Sequence, residues 1–286
     1  MSATDTNALP APAGLPWGRW LRQVRSIVRL ELKKGFLGRR SIWLYLLAAA
    51  PIAILFFRWM IPAAVPEKAD VSNGTNFLAA IYQIFLLRVV IFLSCVGIFG
   101  NLIRREVLDR SLHYYFLSPL RREILVLAKY VTGLVVSFTV FGGATVAAFV
   151  LTYLPHDGHA VRQFLFHGPG MGHFGQYLLV TALACVGYGA VFLAFGFFFK
   201  SPIVPALAML AWENINFLLP PLLKKVSVIH YLKGLCPVPI PELPIAYLAD
   251  APPAWLSIIG LLAFAALLVY LSTFKVKKME ISYEEN

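Results

Sequence analysis

Apolar residues run in long uninterrupted stretches along this chain, and polar residues are confined to the segments between them. A bilayer core of ~30 Å requires about 20 apolar residues of a helix that crosses it. The pattern therefore predicts six transmembrane helices, at about 42–61, 77–100, 130–153, 175–199, 202–222 and 254–274. The fifth is the most dilute, because Glu213, Asn214 and Asn216 interrupt it and Pro220-Pro221 close it. A four-span layout would leave long apolar runs in water. Ahead of the first run the period changes. Trp17, Trp20, Leu21, Val24 and Val28 form an apolar stripe, and Arg19, Arg22, Arg25, Arg29 and Lys33 spread over the remaining surface. This predicts an amphipathic helix lying in the membrane interface within 17–40, with Pro16 suited to its start. Gly35, Gly38 and Arg39-Arg40 end it. Residues 1–16, polar and rich in Ala and Pro, read as a disordered tail without a cleavable signal. Residues 275–286 form a C-terminal tail after the 41–274 membrane domain.

One polar island, 104–129, separates the second and third runs. It carries Arg104, Arg105, Arg110, Arg121, Arg122 and Lys129 against Glu106, Asp109 and Glu123. Leu108, Leu112, Tyr115 and Phe116 recur at helical spacing, so a short amphipathic helix is expected before Ser118-Pro119. Pro119 stops it, since the residue before a proline avoids the helical basin, and a new helix is expected to run from Leu120 into the next span.

Only 14% of the 286 residues are charged and 59% are hydrophobic, where soluble domains are about one quarter charged. The class is an all-α integral membrane protein. A net charge of +11 would suit nucleic acid, but the cations flank apolar runs, which is the pattern of topology signals and lipid contact. With the N-terminus inside, cytoplasmic segments hold 18 of the 25 Lys and Arg: eight before span 1, six in the island, Lys200 and three at the C-terminus. That bias sets both termini in the cytoplasm of an inner (plasma) membrane protein. Cys95, Cys185 and Cys236 are too few and too dispersed for a disulfide framework or a metal site.

On the outer side, Asn73-Gly74-Thr75 fits a glycosylation sequon and reads as a turn. The glycine-rich stretch 155–174 holds His156, His159, His167 and His173 without a compact ligand spacing, and reads as a polar, mobile loop. The proline-rich segment 224–254 reads as short helices tucked into the outer leaflet before the last span. Gly142-Gly143 in span 3 is at most a helix-packing feature.

Arg88 and Glu213 fall near the middle of spans 2 and 5. A charge at mid-bilayer costs about 3 kcal/mol or more, so such residues face protein or water. With Asn214 they either line a polar path or form an intramembrane ion pair. Arg58, near a span end, reads as snorkelling to headgroups. No phosphate loop of the GxxxxGK-Ser/Thr type occurs, nor an HExxH or GxSxG motif, so no ATPase or hydrolase site is expected in this chain.

Glu106, Ser111-Leu112, Leu117, Pro119, Arg121-Arg122, Ile124-Leu125 and Lys129 resemble the loop after the second span of type-2 ABC transporter permeases. Ser111 stands where that family usually has threonine, and Ala128 where glycine precedes the lysine. The resemblance implies that the island contains a cytoplasmic coupling helix, with Glu106, Arg110, Ser111, Leu112, His113, Tyr114, Tyr115 and Phe116 docking on a separate ATPase. It implies that the N-terminal helix (Trp17, Trp20, Arg22, Arg25, Arg29) touches the same partner. It further implies two ATPase subunits holding ATP and Mg, a second permease subunit (identical or paralogous), no cofactor in this chain, and re-entrant helices before the last span. Transport is expected outward, of an amphipathic substrate. Two other classes compete: a self-sufficient channel or ion-coupled carrier using Arg88 and Glu213, which would work without an ATPase, and an intramembrane lipid-modifying enzyme, which would turn over alone.

Overall fold

The computed structural model describes residues 41–60, 70–100, 122–199, 201–215, 227–240 and 253–277, with scattered positions at 25–38 and at 102, 220 and 223. All regular structure among these residues is helical. We number the helices α1 (Ser41–Met60), α2 (Val71–Phe99), α3 (Arg122–Tyr153), α4 (Gly158–Arg162), α5 (Gly170–Phe198), α6 (Ile203–Ile215), α7 (Val228–Lys233) and α8 (Ala254–Lys277).

Five of them, α1, α2, α3, α5 and α8, are long and apolar enough to cross a membrane. The expected fifth span is helical as α6 for 13 residues, about 20 Å at 1.5 Å per residue; residues 216–219 lie outside the described set. Several helices start earlier than hydropathy alone suggests. Asp70 caps α2 by accepting from Ser72 N–H at 3.0 Å, so that helix begins six residues before its apolar run. Asn73-Gly74-Thr75, expected as a turn, is therefore helical. Its glycine sits so close to the His156 ring that a Cβ would lie 2.9 Å from Cε1.

Within α2 the hydrogen-bonding pattern changes: Ile81–Ile91 is a π-helix of 11 residues between two α-helical ends. π-helical turns are uncommon and concentrate at functional sites. This one carries Tyr82, Gln83 and Arg88.

The core is organised on α5, of whose apolar stretch 72% is buried, against 28% for α1 and 17% for α8. The helices α1 and α8 instead present Trp43, Phe57, Trp255, Ile259 and Tyr270 outward. Such a girdle is costly in water and natural against lipid. Several hydroxyls inside the bundle are satisfied locally, whereas those of Ser94, Tyr177, Tyr188 and Ser257 have no partner among the described residues. Thr132, Ser137, Thr145, Thr152 and Thr181 each donate to the carbonyl four residues back, which is how a polar group survives in an apolar helix. Between helices, Tyr82 Oη donates to Tyr177 O and meets Thr181 Oγ1, both at 2.9 Å, and Thr145 meets Thr181 at 3.0 Å.

Close helix approach comes from Gly133 and Gly189, between which the Phe99 ring is clamped, and from Gly196, whose Cβ would lie 3.0 Å from Gly100 O. Gly142 and Gly143 do not serve that purpose: a Cβ at Gly143 would meet nothing within 4 Å, and one at Gly142 only Phe138 of the same helix.

The expected mobile loop at 155–174 is instead helical. α4 continues directly into a π-helical turn, Gln163–His167, before α5. It is held by rings: Tyr153 to Phe164 at 5.4 Å, Phe164 to His173 at 6.0 Å and Phe149 to Phe174 at 5.0 Å. The aromatic residues, not the glycines, decide the conformation of this stretch.

Candidate functional site

Two polar constellations stand out in an otherwise apolar bundle. The first is at mid-helix depth. Glu213 lies ten residues from the start of α6 and Arg88 eleven residues from the end of α2, which puts both roughly 15 Å from the same end of the bundle. That end is shared because Gly100 and Pro202 pack together there. Glu213 is buried at 3% exposure. Its carboxylate accepts from Ser227 Oγ at 2.6 Å, Val228 N at 3.0 Å and Ile229 N at 3.2 Å. These donors are the leading turn of α7, so Glu213 caps a helix that follows it by 14 residues. A carboxylate at a helix N-terminus meets both free N–H groups and the favourable end of the dipole.

Arg88 makes no hydrogen bond or ion pair with Glu213 within 4.0 Å among the described residues; it acts on the carboxylate through space. Tyr188 of α5 packs its ring edge-on against Phe92 of α2 at 5.3 Å. Its hydroxyl is fully buried and has no hydrogen-bond partner among the described residues. Asn214 is exposed and returns its amide to Leu210 O at 2.8 Å. Gln83, one turn from Arg88 along the π-helix, donates to Val238 O at 2.7 Å and so ties α2 to the segment after α7.

The second constellation is at the Gly100 end of the bundle. Lys129 of α3 is 1% exposed, yet carries an ammonium. Its Nζ sits 3.8 Å from Glu31 Oε1 and donates to Leu102 O at 3.2 Å. A lysine this deep requires a partner. Glu31 belongs to the N-terminal helical stretch, whose Leu32 and Phe36 pack against the core. Ser41 Oγ donates to Gly35 O, and Tyr45 Oη to Phe36 O at 3.1 Å. Leu102 and Lys129 flank the segment 103–121, so a single ammonium joins both its flanks to the N-terminal stretch.

The expected coupling residues Glu106, Arg110, Ser111, Leu112, His113, Tyr114, Tyr115 and Phe116 lie outside the described residues, as do Trp17, Trp20 and Arg22. Arg25 and Arg29 are exposed. Of the four histidines at 156–173, His156 and His173 are separated by the rings of Tyr153 and Phe164, and no group of three metal-ligating side chains is gathered among the described residues. Arg58 lies over the Phe77 ring, 4.3 Å from its centroid, so a cation–π contact accompanies its position at the end of α1. Outside the spans, burial pushes the Cys236 thiol up to about 12, with Lys233 pulling weakly the other way.

Glu31, Ser227 and Tyr188 were not legible as site residues. Ser227 directly before an apolar run has the signature of a helix cap, and Glu31 is the lone acid among six cations at 19–34.

Residues 27–212 match the family described as ABC-2 family transporter protein. The match opens within the N-terminal helical stretch, covers α1 to α5 and ends one residue before Glu213. No curated protein matches the chain. A multi-pass helical bundle that carries this match across well over half its length belongs to the ABC-2 transporter family, as a membrane-embedded permease component.

Proposed function

We propose that the chain is the membrane-spanning subunit of an ATP-driven exporter. It would cross the inner membrane six times, with α6 continued beyond Ile215 as the fifth crossing and both termini in the cytoplasm. Family membership over residues 27–212 is the observation that carries this reading. Two ATPase subunits, holding ATP and Mg, dock on the island at Arg110 to Phe116, and a second permease subunit completes the path. The buried Lys129 supports a lever mechanism. Because it joins Glu31 to the flanks of 103–121, a push on the island also moves the N-terminal helix. The path runs beside α2 and α6, past Arg88 and Glu213. Export fits the short connections between the spans, which leave no room among them for a cargo-capturing domain.

The test is whether the neighbouring reading frame encodes a phosphate-loop ATPase that co-purifies with this chain, followed by Tyr114→Asp with Tyr115→Asp. Association and ATP-dependent transport are both expected to fall. If neither changes, the docking role is wrong.

A further inference from the structure

We propose that residues 227–240 form a strap across the bundle, anchored at Glu213 of α6 and latched at Gln83 of α2, and that release of the Gln83 latch opens the path beside α6. The inference rests on the permease reading and names the gate of that path.

The helix α6 is held by little packing of its own. It buries only Ala206 and Glu213 of its 13 residues, and Ile203, Val204, Leu207 and Ile215 are exposed. At its start, Pro202 packs on Gly100 at the end of α2. Further along, Glu213 grips the beginning of the strap through Ser227 Oγ at 2.6 Å, Val228 N at 3.0 Å and Ile229 N at 3.2 Å. From there the strap runs inside the bundle, with Val228, Ile229 and Leu232 all fully buried. Val228 and Leu261 of α8 both close on Gly187 of α5, where a Cβ would lie 3.1 Å from Val228 Cγ1 and 3.0 Å from Leu261 Cδ1. Through α7, then, Glu213 ties α6 to both α5 and α8.

The other end of the strap is held differently. Past α7, Gln83 Nε2 donates to Val238 O at 2.7 Å. This is one neutral hydrogen bond, whereas the Glu213 anchor sets three donors on a buried carboxylate, and bonds to a charged group are the stronger kind. Cys236, Pro237 and Val238 are half-buried. Bond strength and burial both make the Gln83 end the one that lets go first. Gln83 also stands on the π-helical stretch Ile81–Ile91. A shift of that stretch to α-helical bonding turns Gln83 about the helix axis and withdraws its amide from Val238. A push delivered at the Gly100 end of α2 reaches the latch along one continuous helix.

Cys236, inside the strap with its Sγ 3.5 Å from Leu232 O, reports opening of the strap. Cys95 of α2 and Cys185 of α5, both fully buried, report loosening of the whole bundle. The full chain in neutral maltoside micelles is labelled with N-ethylmaleimide, and the rate at each cysteine is read by mass spectrometry. Gln83→Leu should raise the Cys236 rate about three- to tenfold, the loss of one neutral hydrogen bond, with Cys95 and Cys185 unchanged. Gln83→Asn keeps the amide but draws it back by one methylene. It should fall between, and stays readable if Gln83→Leu does not fold. In the native chain bound to its ATPase, ATP should raise the rate at Cys236 and not at the other two. An unchanged Cys236 rate in the variants, or an equal rise at all three cysteines, overturns the latch. A complex that hydrolyses ATP while Cys236 reacts no faster overturns the gate and leaves the permease reading. Selective release of Cys236 by Gln83→Leu in a chain that holds no ATPase supports the latch and overturns the permease reading.

Discussion

Removing the Glu31 charge should cost more than removing the Lys129 charge, although both break the same contact. The ion pair spans 3.8 Å, and its side chains are 1% and 12% exposed for Lys129 and Glu31. At an effective dielectric of about 20 the gross attraction is about 4 kcal/mol. The measured cost depends on the charge left behind. In Glu31→Gln the ammonium stays at a depth water does not reach, and loss of one partner of a buried pair costs about 3–5 kcal/mol. In Lys129→Met the carboxylate remains at the edge of the bundle and rehydrates, while methionine fills much of the lysine stem's volume. We expect about 1–2 kcal/mol there. The double variant should be less damaged than the sum of the two, with a coupling energy of about 2 kcal/mol. Unfolding in mixed micelles measures all four corners of this cycle. Hydrogen exchange at residues 31–36 should rise in Glu31→Gln, because the pair is one of the ties holding that stretch to α3. A coupling energy below about 0.5 kcal/mol, or a Lys129→Met chain less stable than Glu31→Gln, would refute the reasoning.

Gly189→Ala should destabilise by about 1–3 kcal/mol, because the new methyl would lie 2.7 Å from the clamped Phe99 ring. Gly143→Ala, with open space around its Cβ, should be neutral or stabilising by up to ~1 kcal/mol on the same unfolding assay; equal losses at the two sites would count against this packing. Ser227→Ala removes one of three donors to the buried Glu213 carboxylate and should cost about 1.5–3 kcal/mol. Exchange protection should fall selectively in Val228–Lys233, and an unchanged pattern would sink the capping role. Cys236, its thiol pushed up to about 12 by burial, stays protonated at pH 8. Its alkylation by iodoacetamide should run about a thousandfold slower than that of an unperturbed thiol. The rate should climb as pH rises toward 12, and a titration centred near 9 would contradict the burial.

Membrane class, the positions of four of the five long spans to within several residues, and the permease resemblance were legible in the order of residues. Each rests on local quantities. An apolar run of bilayer length dictates a helix whatever surrounds it, because lipid offers no other partner for backbone N–H and C=O groups. The helix expected to run from Leu120 into the third span is present from Arg122. Arg122, Glu123 and Lys129 look like loop residues to a hydropathy window, and only the Lys129 contacts with Glu31 and Leu102 show why a lysine is tolerated inside the bundle. The stretch 155–174 was misjudged on its glycines and histidines. Its helices are fixed by ring contacts from Phe149 and Tyr153, residues that belong to another element.

The site divides along the same line. Arg88 and Glu213 identify themselves in the sequence, since charge at mid-bilayer depth is costly wherever it occurs. Their relation does not. Equal depth made a direct pair as reasonable as a shared path, and sequence spacing carries no information about which donor reaches an oxygen first. The fold places the α7 N-terminus against Glu213 and leaves the buried Tyr188 hydroxyl without a partner among the described residues. What the linear chain determined is where this protein meets the membrane and which residues are expensive to hold there. Which polar group satisfies which was decided only when separate helices met, because short-range contacts between distant residues exist only in three dimensions.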